Sequence, residues 1–137
     1  MRKDGIKTRK KILTVCVRLF LEQGYKNTSI TQITEEAGIT RGSFQNFFPT
    51  KDAVLMELTE TMFGGQFDAA RSIKDSSLPP VYTYAAETAI QLTLTEFNEN
   101  LREIYIEAYT QKEACEYIQR ETAKELYQIF RSYQPEL

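Results

Sequence analysis

The chain has 137 residues, 42% of them hydrophobic, with 17 Lys/Arg against 19 Asp/Glu, two cysteines and no histidine. Ordinary apolar content excludes disorder throughout, and no apolar run is long enough for a membrane span. Without histidine the chain lacks the commonest general base and metal ligand. The small net charge hides a polarised chain: residues 1–51 hold ten Lys/Arg and four Asp/Glu, residues 52–137 seven and fifteen. A basic module for a phosphate backbone, joined to an acidic body, is the simplest reading. Met1-Arg2-Lys3-Asp4 leads into an amphipathic helix rather than a signal peptide. Cys16 and Cys115 lie far apart without CxxC spacing, which predicts reduced thiols in a cytoplasmic protein.

Every segment reads as helical. A first helix over about Thr8 to Gln23 places Ile12, Cys16, Leu19 and Phe20 on one stripe, and Gly24 ends it. Ser29 with Gln32 makes a capping box for a second helix, whose apolar positions are Ile30, Ile33 and Ala37. Gly38 supplies the turn, Thr40 caps a third helix, and Phe44, Phe47 and Phe48 form its apolar side. A short helix pair with glycine in the turn is the geometry of a helix-turn-helix, which offers its second helix to the major groove. Thr50 caps a fourth helix with Asp52 in its first turn and Leu55, Leu58 and Met62 as its stripe. Gly64-Gly65 is expected to interrupt it, with helix resuming over Gln66 to Lys74. Asp75 to Pro80 reads as a break. A long helix is expected to run on to about Thr110, with Ile90, Leu94, Phe97, Leu101, Ile104 and Ala108 as its seam. A last helix, about Lys112 to Tyr133, buries Ala114, Ile118, Leu126, Ile129 and Phe130, and Pro135 marks its end.

The third helix carries the DNA chemistry. Thr40, Arg41, Ser43, Gln45 and Asn46 lie on its polar side. Arg41 can pair in bidentate fashion with guanine, and Gln45 or Asn46 with adenine. Gly42 is poor for an exposed helix interior and fits close approach to a backbone. Lys7, Arg9, Lys10 and Lys11 extend the basic surface. Glutamates 96, 99, 103 and 107 fall at helical spacing, but a carboxylate metal site normally adds a Glu-x-x-His pair, so they read as a solvated acidic face. No nucleotide-binding or hydrolase motif occurs, and neither metal, cofactor nor enzymatic activity is expected.

From Thr8 to about Leu58 the chain resembles the DNA-binding region of the TetR/AcrR family of transcriptional regulators. The matching residues are Thr8-Arg9-Lys10-Lys11-Ile12-Leu13, Leu19-Phe20-Leu21-Glu22-Gln23-Gly24-Tyr25, Thr28-Ser29-Ile30, Ile33, Ala37-Gly38-Ile39-Thr40, Gly42-Ser43-Phe44, Phe48 and Lys51. The family usually has tyrosine where this chain has Gln45, an aromatic at Asn46 and often histidine at Phe47. The resemblance implies an all-α fold: a three-helix helix-turn-helix DNA-binding head (1–50) on a helical effector-binding and dimerisation body (51–137). It implies a repressor that reads a palindromic operator in double-stranded DNA as a homodimer and is released by a small-molecule effector. Lys51 corresponds to the family's phosphate clamp, Thr28 and Ser29 to positions that commonly meet phosphate, and Phe47 belongs to the same reading set. Met62, Phe67, Tyr82, Tyr105, Tyr109 and Tyr117 are the candidates for an effector pocket. The family usually continues for several further helices, the last two of which commonly form the dimer interface, so the chain is expected to be a fragment, a proteolysed product or a shortened member. The competing reading is a helical small-molecule- or protein-binding domain without specific DNA recognition.

Overall fold

The computed structural model describes residues 2–73 and 77–131. They form α1 (Lys3–Gln23), α2 (Ile30–Ala37), α3 (Arg41–Phe47), α4 (Lys51–Ile73), α5 (Val81–Phe97), α6 (Glu99–Thr110) and α7 (Lys112–Arg131), with no strand among the described residues. The all-α expectation holds. Lys74 at the expected end of the resumed helix, Asp75 and Ser76 of the expected break, and Tyr133 and Pro135 at the expected end of the last helix lie outside the described residues.

The starts of α2, α3 and α4 follow their caps. The Ser29 hydroxyl accepts from Gln32 N at 3.1 Å while the Gln32 side chain accepts from Ser29 N at 2.9 Å, a complete capping box. Gly38 turns the chain with φ of 68°. Thr40 then accepts from Ser43 N at 3.0 Å and Thr50 from Ala53 N at 3.1 Å. These bonds satisfy backbone donors that the first helical turn leaves open.

The first core joins Ile12, Cys16, Leu19 and Phe20 of α1 to Ile33 and Ala37 of α2, Phe44 of α3, and Val54, Leu55 and Leu58 of α4. Ile104 of α6 enters the same core. Burial pushes the Cys16 thiol up to about 12, so it stays protonated as a packing group. A second core holds Phe63, Tyr105, Ala108, Ala114 and Ile118. Met62 and Leu101 touch both cores, so no solvent layer separates head from body.

Three expected boundaries are corrected. First, α1 begins at Lys3, ahead of Thr8, with Asp4 in its first turn. Second, α4 runs unbroken through Gly64-Gly65. Phe63, Phe67 and Ala70 are buried on both sides, and that packing overrides a glycine penalty of about 1 kcal/mol per residue. Third, the long helix divides at Asn98, whose extended backbone ends α5 and whose side chain caps α6 by accepting from Leu101 N at 3.0 Å. The expected seam is split accordingly: Ile104 and Ala108 are buried, while Leu94 and Phe97 are exposed. In α7, Ala114, Ile118 and Ile129 are buried as expected, but Phe130 is exposed.

Two glycine substitutions separate packing from backbone geometry, because a Cβ at either Gly64 or Gly38 would meet nothing within 4 Å. Gly64→Ala is expected to raise unfolding stability by about 0.5–1 kcal/mol. Gly38→Ala, held in the left-handed region, is expected to lower it by about 1–2 kcal/mol. Urea denaturation of both variants reads the two signs, and a loss at Gly64→Ala would show that α4 needs a bend there.

Candidate nucleic-acid interface

One side of α3 is anchored and the other is free. Phe44 is fully buried and Phe48, which follows the helix, nearly so, with ring centroids 6.0 Å apart. Arg41, Gly42, Gln45 and Asn46 face outward, and among the described residues nothing partners the side chains of Arg41, Gln45 or Asn46. A helix this short needs such anchoring, since isolated helices of its length are unstable in water.

Several predicted contact residues have other work. Phe47 packs against the first core, so its ring belongs to the anchor. Thr28 is buried, and its hydroxyl donates to Gly24 O at 2.7 Å and accepts from Gln23 Nε2 at 3.3 Å. Its side chain therefore holds the α1–α2 turn and is closed to solvent. Arg9, read as part of the basic surface, pairs with Glu57 of α4, reaches Phe47 O at 3.5 Å and stacks 4.5 Å from the Phe48 ring centroid. It pins the end of α3 between α1 and α4. Ser29, Thr40 and Ser43 remain near the surface beside α3, and Lys7, Lys10 and Lys11 are exposed on α1.

Lys51 is half-buried. Its ammonium donates to Tyr25 O at 2.7 Å and Thr28 O at 3.0 Å and sits 4.2 Å from the Tyr25 ring centroid. Two of its three donors are thus committed inside the protein. Burial lowers its pKa, opposed by the nearby carboxylates of Asp52, Glu107 and Glu103. The Tyr25 hydroxyl donates to Asp52 Oδ1 at 2.5 Å, as does Gln111 Nε2 at 2.9 Å. Burial first, then the Asp52 carboxylate, pushes the Tyr25 phenol well up.

The acidic face read on residues 96–107 is corrected for its second half. Glu103 accepts from Lys26 N at 3.0 Å, Glu107 pairs with Lys26 Nζ at 3.2 Å, and Asn100 Nδ2 donates to Leu21 O at 2.7 Å. Together they dock α6 on the α1–α2 turn. The φ of 95° at Gly24 favours glycine, and a Cβ there would stand 2.8 Å from Glu103 Oε2, so that carboxylate would have to shift.

Among the described residues, the six predicted effector residues are spread over three cavities and the surface. Met62 and Tyr105 line an apolar groove of about 310 Å³ with Ile90, Leu94 and Leu101. Tyr109 lines a second cavity of about 220 Å³, and Phe67 with Tyr117 a third of about 140 Å³. Tyr82 lies on the surface. Two polar residues escaped the sequence reading. Gln66, in the wall of the first groove, is buried with neither amide atom hydrogen-bonded. Glu87, buried in the wall of the second, is the single charged residue between Pro80 and Glu96, a signal the sequence did carry.

A glycine-turned helix pair, with its second helix pinned by three phenylalanines and its polar side free, defines a helix-turn-helix module. Residues 12–58 match the model of the bacterial regulatory proteins of the tetR family. The HTH-type transcriptional regulator YuxN of Bacillus subtilis (strain 168) is 31% identical over 94 residues, which span 69% of this chain and 30% of that protein. The HTH-type transcriptional repressor DhaR of Mycobacterium sp. (strain GP1) is 34% identical over 65 residues, 47% of this chain and 33% of that one. The chain thus spans about a third of the length of these relatives. Among solved structures, Thermus thermophilus FadR, a TetR-family repressor in complex with lauroyl-CoA, superposes with a TM-score of 0.71 at 18% identity, over 91% of this chain and 66% of that one. Residues 12–58 are thus a helix-turn-helix region of the tetR family of bacterial regulatory proteins.

The geometry separates Lys51 from Arg41. Lys51→Met is expected to lower unfolding stability by about 1–2 kcal/mol, because it strands two carbonyls that a charged donor now serves. Arg41→Ala, on an open surface, is expected to stay within about 0.5 kcal/mol of the parent. Thermal unfolding of the two variants in parallel makes the comparison, and an unchanged Lys51→Met would mean that water serves those carbonyls equally well.

Proposed function

We propose that the chain is a DNA-binding transcriptional repressor, acting in the cytoplasm as a homodimer on a palindromic operator and released by a small-molecule effector. The observation that carries this reading is the free polar side of α3, where Arg41, Gln45 and Asn46 stand without protein partners above a buried phenylalanine anchor. Arg41 suits the two acceptors of guanine, and Gln45 and Asn46 the acceptor and donor of adenine. Ser29, Thr40, Ser43 and the lysines of α1 lie where they can meet phosphates, and the remaining donor of Lys51 can join them. Gly42 leaves room for close approach of the DNA backbone. A second copy would bring a second α3 to the next major groove.

Release requires an effector that binds the DNA-incompetent state better than the competent one. The likeness to a repressor solved with an acyl-CoA supports a helical body able to enclose a small molecule. In this chain α6 is the natural link. It lines the cavities through Leu101, Tyr105 and Tyr109 and holds the head through Asn100, Glu103 and Glu107.

Selection of binding sites from random DNA duplexes at near-physiological salt tests the proposal. The expected product is an enriched palindrome, whose preference at one position relaxes by about 1–3 kcal/mol in Arg41→Ala. Lys10→Ala is expected instead to weaken all duplexes alike and to flatten the salt slope by about one unit. No enrichment above non-specific binding would favour a ligand- or protein-binding module.

A further inference from the structure

Glu87 has no role in the DNA-reading head. It sits on α5, is 5% exposed, and pairs with no lysine or arginine among the described residues. A buried carboxylate without a cation is costly, and proteins ordinarily pair such a group or replace it. Its surroundings are aromatic. Phe63 of α4, Tyr84 of α5 and Tyr109 of α6 line the same cavity of about 220 Å³, with Gln91 and Thr122 at its polar edge. Phe63 stands edge-on to Tyr109 with centroids 6.1 Å apart, and to Tyr105 at 5.7 Å. A negative charge beside aromatic rings, here buried Phe63 and the exposed Tyr84 and Tyr109, is the arrangement that favours an organic cation, since ring faces and carboxylate attract the same sign.

We propose that this cavity between α4, α5, α6 and α7 binds an organic cation of the quaternary ammonium type, with Glu87 as its counter-ion and Phe63, Tyr84 and Tyr109 as its walls. The inference rests on the effector reading above and gives the effector a charge. It runs against a carboxylate ligand at this position, which Glu87 would repel. It also carries a proton linkage. Burial raises the Glu87 carboxyl, and the adjacent Thr88 hydroxyl opposes the shift. The titratable groups that face it are the phenols of Tyr105 and Tyr109 on α6. Tyr84 on α5 and Cys115 on α7 stand beside Tyr109, while Phe63 on α4 and Thr122 on α7 carry no charge. A bound cation favours the ionised carboxylate, so cation affinity falls as pH drops through the raised Glu87 range.

The test is calorimetric titration of phenyltrimethylammonium into the 137-residue chain, beside its uncharged isostere tert-butylbenzene and the anion benzoate. The cation is expected to bind at least tenfold tighter than the isostere, and benzoate not at all. That preference is expected to vanish in Glu87→Gln. In the unaltered chain it is expected to collapse at least tenfold as the carboxyl takes up its proton, an arm that decides the matter should Glu87→Gln fold poorly. Equal affinity for cation and isostere, a preference that survives Glu87→Gln, or no cation binding overturns the proposal. The titration contains no DNA, so its failure leaves the operator reading standing, and a failed duplex selection leaves the titration standing.

Discussion

The architecture depends on the polar knot around Tyr25. Its ring packs edge-on to Phe20 with centroids 5.0 Å apart, and its hydroxyl and the side chain of Gln111 share one oxygen of Asp52. Its carbonyl and its ring face both hold the ammonium of Lys51. Four parts of the structure meet within these few contacts: α1, the turn to α2, the start of α4, and the joint between α6 and α7. Tyr25 is buried and its hydroxyl is satisfied by Asp52, which is the condition under which a polar group stiffens a core rather than weakening it. Position, rather than net stability, is what such a knot contributes.

On that frame α6 works as a two-sided helix. Its apolar side belongs to the second core and to the cavity walls, and its polar side to the α1–α2 turn. Ile104 enters the core of the head itself. A shift of α6 is therefore felt directly at Lys26 and Gly24, with no intervening loop to absorb it. Communication between cavity and head needs no longer route than the width of one helix, and it travels through contacts that are either made or broken.

Sequence made some of this legible because the relevant physics is local. Ser29 with Gln32, Thr40 and Thr50 are caps whose partners lie three residues away, and all three form. Gly38 is a turn signal of the same short range. Errors came where a distant neighbour decides. Gly64-Gly65 looks like a break until Phe63 and Phe67 are seen buried on either side. Glu103 and Glu107 look solvated until Lys26 arrives from the other end of the chain. Arg9 resembles a phosphate contact until Glu57 arrives from α4, whereas the Thr28 hydroxyl is taken up locally, by Gly24 four residues back. The division at Asn98 is different. An asparagine followed by Glu99 is a start signal of the local kind, and the sustained apolar spacing around it obscured it.

The continuity of α4 has a mechanical consequence. At 1.5 Å per residue its 23 residues make a rod about 35 Å long, with one end at Lys51 under the head and the other among the body cavities. A helix without a bend transmits tilt along its whole length. By simple leverage, about 5° at the body end displaces Lys51 by about 3 Å, on the order of the 3.4 Å spacing of successive bases along a strand. A rod of this length turns a small tilt at the body end into a displacement of about one base spacing at the head.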